Sequence, residues 1–218
     1  MFKKTILATI AALILLTSSA VAALANPYTF GAENGRTLPP AGLGIDLSAR
    51  FNQPDQEDKA FNAEVSYGIA PSITLAGELR NVNQSDRQTL VKAYFNPRHN
   101  KTMGYTAYLG YDLGEQNIPM YGLSVWTNFN FLYGYLNVET GKATDDEMMI
   151  TPGASLQLGS KLRLGGEVTM KADDWSSENL RLGASYALTR KIHAKVMVDD
   201  NLADDSSRIY TTALTVQI

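Results

Sequence analysis

The chain has 218 residues, 44% of them hydrophobic and 19% charged, with a formal net charge of −3. It holds no cysteine and two histidines, which excludes a disulfide framework, a thiolate metal site and a histidine-rich metal centre. Mild acidity argues against a nucleic-acid protein, and 7 Phe and 11 Tyr beside many Leu, Val and Ile argue against a disordered one.

Residues 1–25 read as an export signal. Met1-Phe2-Lys3-Lys4 is a basic start, Ile6 to Leu16 is an apolar run, and Ala23-Leu24-Ala25 is an A-x-A cleavage site before Asn26-Pro27. Cleavage there removes Lys3 and Lys4 and no acid, leaving 17 basic against 22 acidic residues, net −5. No later window holds 18 consecutive apolar residues, so no transmembrane helix is expected. Export without cysteine suits a bacterial envelope. Residues 26–40, ending in Pro39-Pro40, are too irregular for a strand.

From Ala41 onward the apolar residues fall at alternate positions. Leu43, Ile45, Leu47, Ala49 and Phe51 are interleaved with Asp46, Ser48 and Arg50, and Phe61, Ala63, Val65, Tyr67 and Ile69 with Asn62, Glu64 and Ser66. The pattern recurs to the end, where Tyr210, Thr212, Leu214, Val216 and Ile218 share one face. Period two means a strand with one apolar and one wet face. Twelve such segments are predicted, at 41–51, 60–69, 72–82, 88–96, 102–113, 119–128, 129–139, 147–158, 161–171, 178–188, 190–199 and 208–218. Most have about 10 residues, the length a tilted strand needs to cross a bilayer. Pro152 inside the eighth is a blemish in the pattern, tolerable at a bulge.

The connections alternate as well. Longer polar loops follow the odd segments, and tight links follow the even ones at Ala70-Pro71, Phe129, Gly159-Ser160 and Thr189-Arg190. Short turns at one rim and long loops at the other are the habit of outer-membrane barrels.

Alternation alone leaves open whether the apolar face points inward or outward, and a soluble two-sheet sandwich is the rival. The aromatics discriminate. Phe51, Phe61, Tyr111, Tyr121 and Tyr210 lie on the apolar face near the long-loop rim, and Tyr67, Phe95, Tyr105, Phe129 and Tyr186 near the short-turn rim. Between them the face is aliphatic. Two aromatic girdles around an aliphatic band are what the two interfaces of a bilayer select, so the apolar face is expected to meet lipid.

On these features the whole chain after the export signal resembles the bacterial outer-membrane β-barrels of the porin-like kind, with residues 41–218 as the barrel. The resemblance implies an all-β, antiparallel up-and-down transmembrane barrel of about twelve strands in the outer membrane. It lies in architecture, with no family motif matched residue for residue. Such barrels typically end on an aromatic residue, whereas this chain ends Leu214-Thr215-Val216-Gln217-Ile218. Residues 26–40 then either hang on the periplasmic side or fold into the lumen as a plug.

By parity the inward face carries Arg50, Arg80, Lys92, Arg163, Lys171, Arg181 and Lys195 against Asp46, Glu64, Glu78, Asp112, Glu139 and Glu167, with His193 nearby. Hairpin registers are expected to set Glu78 diagonal to Lys92 and Glu167 diagonal to Arg181. A hydrated passage for small polar solutes and a salt-bridged, non-conducting brace with a structural or adhesive role both fit. Balanced charge predicts no strong ion selectivity.

The long loops hold fifteen acids, among them Glu178, Asp199, Asp200, Asp204 and Asp205, against four bases. Divalent cations are conceivable partners there, but no calcium-loop spacing is present. Barrel lipases and proteases need a histidine with a serine or acid at the substrate rim. His193 is expected near the short turns and His99 within one of them, so no catalytic residue, metal or cofactor is assigned.

Overall fold

The computed structural model describes residues 38–52, 59–85, 87–97, 102–113, 119–129, 131–141, 147–202 and 208–218. The export signal, residues 26–37, His99, Asp204 and Asp205 lie outside the described residues. Twelve strands follow in chain order: β1 (Leu43–Asn52), β2 (Lys59–Ala70), β3 (Ile73–Arg80), β4 (Gln88–Phe95), β5 (Met103–Asp112), β6 (Pro119–Phe129), β7 (Leu132–Gly141), β8 (Met148–Leu158), β9 (Leu162–Lys171), β10 (Ser177–Ala187), β11 (Ile192–Asn201) and β12 (Arg208–Gln217). No end differs from its sequence-predicted position by more than three residues.

Each strand pairs antiparallel with its sequence neighbours, and β1 pairs with β12 to close the barrel. Closure satisfies both edges of every strand and removes the exposed donors and acceptors that an open sheet would present. At the seam Ile45 faces Val216 and Phe51 faces Tyr210. The Leu43 amide donates to the Ile218 carbonyl at 3.0 Å, and the Ile218 amide returns a bond to Leu43 at 2.9 Å.

The apolar face points outward. Val65, Leu75, Leu109, Leu123, Val125, Leu136, Leu164, Leu182 and Val196 are all exposed there, Leu109 by 67%. Side chains of this size lose about 1.5–3 kcal/mol each when left in water, so a whole apolar outer wall requires an apolar surround. This orientation, together with closure, disposes of the two-sheet sandwich.

Three expectations need correction. Phe129 is the last residue of β6, paired with Leu132, so the link is residues 130–131 rather than Phe129. Pro152 sits without a bulge. The β8–β9 ladder omits positions 151 and 152 and resumes in the same register at Gly153. Proline has no N–H to give, and the hydroxyls of Thr151 and Thr169 bridge the gap at 3.2 Å. Finally, Glu178, Asp199 and Asp200 belong to strands β10 and β11, not to loops.

Candidate functional site

With the apolar residues outside, the opposite parity of each strand faces the lumen. Asp46 and Arg50 of β1, Glu64 of β2, Glu78 and Arg80 of β3, Lys92 of β4, Asp112 of β5 and Glu139 of β7 lie on that parity. So do Arg163, Glu167 and Lys171 of β9, Arg181 of β10, and His193 and Lys195 of β11. His193 pairs with Ala187 and Thr215 near the short-turn rim.

These charges gather in two clusters. In the first, the Lys92 ammonium lies 2.6 Å from Glu78 and 3.8 Å from Glu64, and Arg80 Nε bonds Glu78 at 2.7 Å. Glu78 is opposite Leu90, so it reaches Lys92 on the diagonal. In the second, Arg181 donates Nη1 to Glu167 at 2.8 Å and Nε to Asp199. Here the expected geometry is corrected. Arg181 stands directly opposite Glu167, in the β9–β10 register that runs from Asn179 to Tyr186 beyond an irregularity at Ser177 to Asn179. Asp199 is the carboxylate that sequence reading put in a loop, and adding it gives seven inward carboxylates for seven cations. The Tyr135 hydroxyl also donates to Glu167.

Other lumen groups are tied to the wall. Arg163 donates to Ser155 at 3.2 Å and Gln157 at 2.7 Å, Tyr108 donates to Glu139 at 2.5 Å, and Thr215 bonds Asp46. At the long-loop rim Lys171 contacts Glu147 at 2.9 Å and Glu178 at 3.8 Å, and Arg208 contacts Asp200 at 3.2 Å. Several of the acids assigned to the long loops by sequence are therefore ion-paired.

The feature that sequence reading missed is aromatic. Tyr94, Tyr108, Trp126, Tyr133 and Tyr135 all point inward from β4 to β7 and are buried. Trp126 stacks on Tyr133 with centroids 6.1 Å apart and planes at 20°, and Tyr133 meets Tyr135 at 5.9 Å. Three of the rings lie against glycines directly across the ladder: Trp126 against Gly104, Tyr108 against Gly122, and Tyr135 against Gly153. A Cβ at Gly104 or Gly122 would come within 2.5 Å of the ring, so only glycine lets the ring lie down there. The lumen thus has an aromatic wall on β4–β7 and charged walls on either side of it.

At the short-turn rim the chain enters β1 through a tight turn. The Gly42 amide donates to the Pro39 carbonyl at 2.8 Å, with Pro40 and Ala41 at the central positions and Ala41 at φ 62°. That is a type II turn, with proline in its favoured place. Leu38, just before it, is buried and donates its amide to Thr74 Oγ1 at 2.7 Å, on the inner face of β3. The carbonyl of Pro39 lies so close to Gly68 that a side chain there would collide with it.

Of the girdle aromatics, Phe61, Tyr111, Tyr121 and Tyr210 are exposed on the outer wall toward the long loops. Tyr67, Phe95, Tyr105, Phe129 and Tyr186 are exposed toward the short turns. Phe51 is half-buried at the seam.

Among solved structures, the chain is similar to the KdgM porin, with 14% identity and a TM-score of 0.65 over 79% of this chain and 98% of that one. The same figures hold for the KdgM porin in complex with disordered oligogalacturonate. The NanC porin aligns at 10% identity and a TM-score of 0.58, again over 79% and 98%. The fold is porin-like. No protein-family model matches the sequence, and no curated protein matches significantly.

Proposed function

We propose that this chain is an outer-membrane channel for small polar solutes, exported through the segment 1–25 and embedded with its long loops at the cell surface of a Gram-negative envelope. The observation that carries the reading is the inversion of the barrel, with an apolar outer wall and seven cations and seven carboxylates inside. Lipid explains the outside, and polar traffic explains a charged interior that costs stability to build. Similarity in fold to the KdgM and NanC porins supports the same reading. Equal numbers of inward cations and carboxylates point to weak ion preference.

An enzyme is less well supported, because His193 stands near the short turns. A non-conducting brace is favoured by one specific observation, the burial of both ion clusters against the wall. Planar-bilayer conductance separates the two. Discrete steps with similar cation and anion permeability support the channel, and steady silence from protein that shows the heat-dependent gel shift of a folded barrel refutes it.

For divalent cations the support is thin. Asp204 and Asp205 lie outside the described residues, and no group of three or more metal-ligating side chains occurs among the described ones.

A further inference from the structure

The short-turn rim carries charge that the lumen does not use. Three of its links follow one another around the barrel, β6–β7, β8–β9 and β10–β11. In sequence, residues 129–132, 158–162 and 187–192 hold Lys161, Arg190 and Lys191 and no acid, in a chain where acids outnumber bases 22 to 19. Lys161 and Arg190 are exposed, and so are Phe131, Leu158 and Leu188 beside them. An arc that is apolar and cationic at once matches the headgroup zone of an anionic bilayer, where acyl chains meet phosphates.

The two links that hold the cations are fixed in place. The Ala187 amide donates to the Lys161 carbonyl at 2.9 Å, which ties the second link to the third. The Thr189 hydroxyl accepts from the amides of Lys191 and Ile192, each at 3.1 Å, so the turn it braces spans Arg190 and Lys191. The side chain of Lys161 decides which way the arc faces. Alternation from Leu162, on the outer parity of β9, would turn Lys161 toward the lumen. Instead its ammonium stands 6.0 Å from the ring centroid of Tyr186, a girdle aromatic exposed on the outer wall. A cation held over that ring lies on the lipid side at the depth of the girdle, out of the path of a solute in the lumen.

We propose that Lys161 and Arg190, with Lys191 beside them, bind the phosphate of an anionic phospholipid in the leaflet at the short-turn rim, its acyl chains lying on Leu158 and Leu188. The inference rests on the membrane embedding proposed above and not on conduction.

The chain has no cysteine, so Ser160→Cys creates one attachment point for a bimane fluorophore in the β8–β9 link. The protein, refolded in phosphatidylcholine vesicles at low ionic strength, is titrated with phosphatidylglycerol or phosphatidylcholine carrying a nitroxide at the same acyl carbon. At position 160 phosphatidylglycerol is expected to quench with an apparent affinity about fivefold above that of phosphatidylcholine. Lys161→Gln with Arg190→Gln and Lys191→Gln should bring the two lipids to parity, and so should about 1 M salt, which screens charges beyond about 3 Å. Equal quenching in the parent overturns the proposal. So does a preference that survives the triple substitution or, should that variant lack the heat-dependent gel shift of a folded barrel, one that survives salt. Parity of the lipids joined to an emission change on adding polyglutamate gives the cations to an acidic partner in solution and overturns it too. A second label, at Leu109→Cys on the outer wall, separates this inference from the embedding. Quenching there by both lipids, without preference at position 160, refutes the lipid site alone. No quenching at either position refutes the embedding and the site together.

Discussion

Arg181 is the side chain whose loss the barrel should feel most. It bonds Glu167 at 2.8 Å and also Asp199, and the side chains of those acids are only 2% and 4% exposed. Arg181→Met keeps the length of the side chain and removes the charge, leaving two buried carboxylates side by side with no shared cation. Breaking a buried pair in this way costs about 3–5 kcal/mol, because the abandoned charge cannot return to water. With a denaturant slope of about 2–3 kcal/mol/M, the urea midpoint should fall by roughly 1–2 M. The assay is urea unfolding in lipid vesicles, followed by the fluorescence of Trp126 and Trp175. A triple variant, Arg181→Met with Glu167→Gln and Asp199→Asn, should recover much of the loss, since it removes the two buried charges that Arg181 had balanced rather than restoring the pair. An Arg181→Met midpoint within the error of the parent would refute the claim that this cluster is dry and cooperative.

Three further outcomes are expected. Leu109→Arg, at the most exposed apolar position of β5, should cost about 2–4 kcal/mol in vesicles if that face meets hydrocarbon; a neutral effect on unfolding in vesicles would place it in water. Gly122→Val should drive a side chain into the Tyr108 ring and cost about 1–3 kcal/mol by the same measurement, with partial rescue by Tyr108→Ala. In the β9–β10 loop, the Ser176 hydroxyl and amide hold the Asp174 carboxyl below its ordinary value. A lowered folded-state value means that this contact's contribution is fully present above about pH 4 and lost as pH falls through the lower value. NMR titration should therefore place Asp174 below an ordinary aspartate, and Ser176→Ala should move it back up; no movement would discard the hydrogen bond as the cause.

Period-two alternation made the strands legible, because the lipid side tolerates so few exceptions that every segment repeats the same signal. The same parity put Glu78 and Lys92 within reach of each other. What it could not supply was the one-position bulge at Ser177 to Asn179, which is set by local backbone in a loop whose residues carry no alternation. The register beyond it sets Arg181 directly opposite Glu167 rather than on the diagonal. Asp199 was misplaced for a related reason, since two adjacent acids, Asp199 and Asp200, look like loop until the ladder is seen to run through them to Asn201. The inward aromatics were visible in principle. Gly104, Gly122 and Gly153 share inward parity with Trp126, Tyr108 and Tyr135, but only the cross-strand register shows that each glycine faces a ring.

The seam between β1 and β12 also has a consequence for how the molecule is made. All other ladders join strands adjacent in sequence, but this one joins Asp46 to Thr215 and Leu43 to Ile218. Its entropic cost of closure is the largest among these ladders, and it cannot form until β12 is available. The hairpins can assemble as they arrive, while the first strand waits with an unsatisfied edge for its partner. Loss of β12 would leave β1 and β11 with open edges, so this one strand satisfies two edges at once and the barrel cannot close without it.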